Sequence, residues 1–234
     1  MDRREFNGAA SGALVAVLLL ACARAQALSL SDLSNAEASQ GLKTALERGV
    51  IAAIDVLGHN DGFLGNDKVR IRLPGYLEDA AKLLKSLGQG KRVDELVTAM
   101  NRAAETAVPM AKALLVGAVK SMSVSDARKI LVGGDTSVTE FFVEKTREPL
   151  GVKFLPVVGK AMEKVGLAEK YNRVASKAAG LGLVKKEDAN IQRYVTGKAL
   201  DGLYYMIGEE EKKIRQDPVA TGSAVLKKVF GALK

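Results

Sequence analysis

RVDELVTAMNRAAETAVPMAKALLVGAVKSM, residues Arg92 to Met122, decides the fold. Within it Val93, Leu96, Val97, Met100, Ala103, Ala104, Ala107, Val108, Ala111, Leu114, Leu115, Ala118 and Val119 recur at steps of three and four, the period of one helix face. A stripe of that length is covered only by other helices, so the stretch predicts helix-on-helix packing. Pro109 lies inside the stripe without interrupting it and predicts a kink.

The same spacing extends outward. Upstream, Leu33 to Leu57 carries Leu42, Ala45, Leu46, Val50, Ala53, Ile54 and Leu57 on one face, with Ser34 or Asn35 as cap and Gly58 as stop. Tyr76 to Leu87 turns Leu77, Ala80, Ala81, Leu84 and Leu87 inward and closes at Gly88. Downstream, Ser123 or Ser125 opens a short helix ending at Gly133-Gly134, and Asp135 or Thr136 opens another through Phe141, Phe142 and Lys145. Pro149 and Pro156 bracket an apolar patch, after which Val157 to Val165 and Ala168 to Ala179 read as two helices. Glu187 to Arg215 is the last long helix, and Asp217-Pro218 opens a terminal one.

Only one stretch has a different period. Val69, Ile71 and Leu73 alternate with Lys68, Arg70 and Arg72, which predicts a short extended segment near residues 68–73 that cannot form a sheet alone. The expected architecture is therefore an all-α, single-domain multi-helix bundle over residues 28–234.

Composition agrees with that class. The 234 residues are 47% hydrophobic, enough for a buried core, and the absence of Trp with 5% aromatics suits packed helices better than sandwiches or stacking platforms. The net charge of +8 comes from Lys interleaved with Glu, the pattern of a solvated face. With no basic stripe bearing aromatic positions, the sequence predicts no nucleic-acid partner.

The first 27 residues read as a signal peptide. Arg3 and Arg4 precede an almost wholly apolar run from Gly8 to Ala21, too short for a spanning helix of roughly 20 residues. Arg3-Arg4-Glu5-Phe6 resembles a twin-arginine export signal, a route that competes with the general secretory one. Ala25-Gln26-Ala27 offers cleavage before Leu28 and a periplasmic product. Leu19-Leu20-Ala21-Cys22 resembles a lipobox, whose alternative product is a lipoprotein anchored through Cys22.

The chemical inventory is poor. Cys22 is the one cysteine and His59 the one histidine, so usual zinc or haem ligation has nothing to build on and no cofactor or metal is expected. Asn60, Asp61, Asn66 and Asp67 have the composition of a calcium loop but lack its ordered spacing and terminal Glu. A Ser-His-Asp arrangement would have to use His59, and no G-x-S-x-G elbow accompanies it. Gly133-Gly134-Asp135 and Gly180-Leu181-Gly182 lack phosphate-loop spacing and read as helix stops. For catalysis this leaves Glu105, one turn from Asn101 at the edge of an apolar stripe, and Asp201 and Tyr205, which share a face with Lys198. The competing reading of both groups is a polar contact between helices. Glu209-Glu210-Glu211 with Lys212-Lys213 reads as a solvated, ion-paired face.

Four segments together resemble the bacterial DUF4197 family: LSNAEASQGLKTAL (33–46), DGFLGNDKVRIRLP (61–74), MNRAAETAVPMAK (100–112) and KALDGLYYMIGEEEKKIR (198–215). Asp67 stands where the family pattern has proline. The resemblance implies an uncharacterised envelope protein and carries no activity, cofactor or catalytic residue. Two expectations follow. The first is a non-enzymatic protein that binds a hydrophobic ligand, a membrane surface or an envelope protein through a groove between helices; the alternative is an enzyme with an interhelical carboxylate site. A continuous apolar groove would favour binding, and buried carboxylates converging in a wet cleft would favour the enzyme.

Overall fold

The computed structural model describes residues 35–163, 165–180, 182 and 189–217. The leader, Cys22 and the helix expected after Asp217 lie outside the described residues. Those described form an all-α fold without a strand: α1 (Asn35–Leu57), α2 (Gly75–Leu84), α3 (Gly90–Ala107), α4 (Lys112–Lys120), α5 (Val124–Val132), α6 (Ser137–Met162), α7 (Ala168–Gly180) and α8 (Ile191–Gln216).

Arg92–Met122 behaves as its stripe predicts. The kink at Pro109 is a single 3-10 turn, Val108–Ala111, that joins α3 to α4 without losing the buried face, and Met100, Ala103, Ala104, Ala107, Val108, Ala111 and Leu115 are fully buried. Alanines at these points let neighbouring helices approach closely. The expected face of α1 is buried throughout, from Leu42 to Leu57. α8 is the central element and packs against α1, α3, α6 and α7, while α6 lies along it over the longest contact. Its buried residues include Tyr194, Val195, Ala199, Leu203, Tyr204 and Ile207, which point to more than one side of the helix. Asn190 caps it, its Oδ1 accepting from Arg193 N at 3.1 Å. The helix therefore begins at Ile191 rather than Glu187.

Residues 137–162 correct the sequence reading. Instead of a helix, a patch and a second helix, one 26-residue helix runs through both prolines. The reason is the stripe Phe142, Thr146, Leu150, Phe154, Val158 and Met162, which stays in register at four-residue steps and is buried along its whole length. Pro149 and Pro156 lie seven residues apart on the exposed face. There the carbonyls that lose their amide partners at Lys145 and Val152 are reachable by water, so core burial outweighs the proline cost.

α2 stops where the sequence places its stop. Its regular turns end at Leu84, one wider turn follows over Lys85–Gln89, and the break from α3 falls at Leu87 and Gly88, the latter with φ +75°, a left-handed conformation that suits glycine. Leu77, Ala81 and Leu84 are only half-buried, and Leu83 and Leu87 are 61% and 66% exposed. The apolar face of α2 is thus legible in the sequence but incompletely covered by the described residues.

The alternating segment keeps its period in burial, with Val69 and Ile71 buried and Arg70 and Arg72 exposed. Residues 67–69 form a turn, and Arg70 to Pro74 have no regular secondary structure. Among the described residues no single helix is long and apolar enough to cross a membrane.

Candidate functional site

The loop Asp61–Pro74 is held by three side chains of one turn of α3. Asn101, fully buried, accepts from Ile71 N at 2.8 Å and donates from Nδ2 to Ile71 O at 2.9 Å and to Val97 O at 2.8 Å. One amide side chain thus gives Ile71 both of the hydrogen bonds that a neighbouring strand would supply. Glu105 Oε1 accepts from Phe63 N at 3.0 Å and Leu64 N at 3.1 Å, and its Oε2 accepts from Arg102 Nη1 at 2.7 Å. Arg102 reaches on to Asp61 Oδ1 at 2.8 Å, and Asp61 takes φ +68°.

Glu105 is 4% exposed, and both of its oxygens are engaged by the protein itself. A general acid or base needs hydrogen-bond reach to its substrate, and this carboxylate instead satisfies two loop amides and a guanidinium. Phe63, wholly buried, packs against α8 at Gly202, where a Cβ would stand 2.7 Å from the ring. The segments 61–74, 100–112 and 198–215 therefore meet at one junction, which is a structural anchor.

Asp201 and Tyr205 lie elsewhere on α8. Asp201 pairs with Arg147 at 2.7 Å and Lys198 at 3.5 Å, all three side chains being half exposed. Tyr205 is 41% exposed and stands beside Lys68, which pairs with Glu209 at 3.1 Å. Among the described residues no hydrogen bond or ion pair joins Glu105 to Asp201 or Tyr205. His59 is exposed, its Nδ1 2.6 Å from Asn60 O. No three His, Cys, Asp or Glu side chains among the described residues are grouped to hold a metal.

Glu211 corrects the reading of the acidic run as solvent-facing. It is buried, and Oε1 accepts from Arg215 Nη2 at 2.8 Å and Nε at 3.0 Å. Arg215 Nη2 also donates to Ile130 O at 3.0 Å and Ser137 Oγ at 2.9 Å, so the pair ties the end of α8 to the turn between α5 and α6. Oε2 has no partner among the described residues, and burial pushes the carboxyl above its usual range against the opposing pull of Arg215. The run itself holds no sign of this; only its position against α6 does.

The half-covered face of α2 gives the molecule its apolar groove. Leu77, Ala81, Leu83 and Leu84 form one wall, Val93 and Leu96 of α3 another, and Leu73, Leu167 and Tyr171 close the remainder, enclosing about 530 Å³. Its polar lining is confined to Gln89, Arg92 and Lys170. A second cleft of about 610 Å³, between α6 and α8, mixes Arg147, Glu148, Lys198 and Asp201 with Val152 and Leu155. Sequence reading finds α2's stripe but not the groove, because the opposing walls come from positions up to 98 residues apart, Leu73 to Tyr171.

The family model described as "Protein of unknown function (DUF4197)" matches residues 32–231. No curated protein and no solved structure matches the chain.

Proposed function

The chain belongs to the DUF4197 family, which brings no activity with it, and from that premise we propose that it is a non-enzymatic binding protein that takes an apolar small molecule into the groove beneath α2. The observation that carries the reading is the groove itself: about 530 Å³, walled by leucines, valine and alanine, with its three polar residues outnumbered. Small-molecule sites are concave, mostly apolar and about 300–1,000 Å³ in volume, with a few polar groups that orient the ligand. The enzyme alternative lacks a comparable observation, since Glu105 is used up in holding the loop and Asp201 is ion-paired at the surface.

Titration of the purified chain with an environment-sensitive apolar dye tests the reading. Ala81→Trp fills the groove from α2 and is expected to weaken the dye at least tenfold, while Val152→Trp, on the exposed face of α6, leaves it unchanged. Equal binding by wild type and Ala81→Trp overturns the proposal. We further propose that residues 1–27 export the chain, so that it meets its ligand in the cell envelope with Leu28 as its first residue. Intact mass of the protein from its own cells tests this, and a diacylated Cys22 terminus would replace the periplasmic reading with a membrane-anchored one.

A further inference from the structure

Arg92 and Lys170 line the apolar groove, and they also line a smaller, more polar cleft formed with Glu95, Val165, Gly166 and Leu167. The two spaces therefore share a boundary, at Arg92, Leu167 and Lys170. On one side the walls are hydrocarbon; on the other lie the turn Val165–Leu167 and the start of α7, whose first turn carries Glu169. Both cations are exposed, and neither has a hydrogen-bonded or ion-paired partner among the described residues, so both are free to meet an anion at the mouth of the groove. Among the described residues Glu95 is the only carboxylate lining either space, against the two cations at the shared boundary.

On the groove-binding reading above, we infer that the ligand is a single-chain anionic amphiphile, its hydrocarbon tail lying against Leu77, Ala81 and Leu96 and its acidic head between Arg92 and Lys170. An uncharged apolar molecule would fill the groove and leave the two cations unpaired. A cationic one would be repelled at its mouth. The tail supplies affinity through burial, and the head supplies orientation, with the cations solvated until they meet it.

Dodecanoate, dodecan-1-ol and dodecyltrimethylammonium carry one tail and three head charges, and each is titrated against the full chain by displacement of the apolar dye. Each exposed cation is expected to be worth up to about fivefold, so dodecanoate should displace the dye better than the alcohol by about 2- to 25-fold, and the ammonium worst. Arg92→Gln with Lys170→Gln should erase the preference for the anion, bringing dodecanoate down to the level of the alcohol, and both positions are exposed enough for the fold to persist. The wild-type preference should also shrink as salt is raised. Equal displacement by acid and alcohol overturns this inference and leaves the groove reading standing. Displacement by none of the three, or displacement untouched by Ala81→Trp, overturns both. Self-association of the chain that Ala81→Trp abolishes would make a second copy the occupant, and would likewise overturn both.

Discussion

Replacing Asn101 by leucine removes three hydrogen bonds at almost constant volume and leaves both polar groups of Ile71 without the partners the fold gives them. Ile71 is 1% exposed, so water cannot take over without opening the loop. Each buried backbone group left unsatisfied costs about 1–3 kcal/mol. Two such groups cost about 2–6 kcal/mol, and burying the leucine side chain returns about 1–3 kcal/mol of that. Val97 O keeps its helical partner and adds little. The expected net loss is about 2 kcal/mol, which at the urea dependence of a small domain lowers the unfolding midpoint by about 1 M. Asn66→Ala is the matched control: among the described residues its Oδ1 accepts from Lys68 N alone, at 3.2 Å near the surface, and it should cost less than about 1 kcal/mol. Urea unfolding followed by circular dichroism gives the stabilities, and amide exchange at Ile71, Phe63 and Leu64 reports whether the loop detaches first. The reasoning fails if Asn101→Leu falls within 1 kcal/mol of wild type and the Ile71 amide exchanges no faster.

Two glycines of α8 should respond oppositely to alanine. At Gly202 a Cβ meets Phe63 Cε1 at 2.7 Å and a loss of about 1–3 kcal/mol is expected, whereas Gly197 has nothing within 4 Å and should gain about 0.5–1 kcal/mol; thermal melts of the two variants decide it. Pro149→Ala and Pro156→Ala restore amide donors on the exposed face of a helix that already accommodates both prolines, and should each stabilise by about 1–3 kcal/mol, nearly additively; a loss in either refutes the account of α6. Because burial raises the carboxyl pKa of Glu211 in the folded state, the native chain holds that proton to higher pH than the unfolded chain. Its contribution to stability is therefore full below the unfolded value of about 4.5 and falls as pH rises toward the raised folded value. The stability difference between wild type and Glu211→Gln, measured from pH 4 upward, should decline across that window, and a flat or rising difference contradicts the assignment.

The sequence made the helices legible wherever their stripes were buried on schedule. Leu42 to Leu57 and Met100 to Leu115 needed nothing beyond period. Pro149 and Pro156 misled because a local rule about proline was weighed above a longer signal, the unbroken four-residue spacing from Phe142 to Met162. Glu105 and Asn101 stood out as polar residues at the edge of a stripe, and the structure does bring them to a shared task. Their task is to anchor the loop, and spacing alone cannot distinguish a carboxylate that grips backbone amides from one that awaits a substrate. Arg92 and Lys170 carried no signal at all. They are two ordinary basic residues 78 positions apart, and only the fold, which brings the start of α7 to the groove beneath α2, sets them at one mouth.

The grip of α3 on the loop also sets an order of events. Asn101, Arg102 and Glu105 present one gripping face only when the chain between them is helical, and their targets lie 30 to 42 residues earlier in the sequence. The contact from the same loop to Glu209 spans 141 residues. The gripping surface does not exist until α3 is helical, so the loop is expected to dock only after α3 has formed, which folding and unfolding rates of Asn101→Leu would check. Interactions absent from the rate-limiting structure act on the reverse rate. The loop anchor is thus expected to act as a brake on unfolding: loosening it should shorten the lifetime of the folded chain and leave the speed of folding almost untouched.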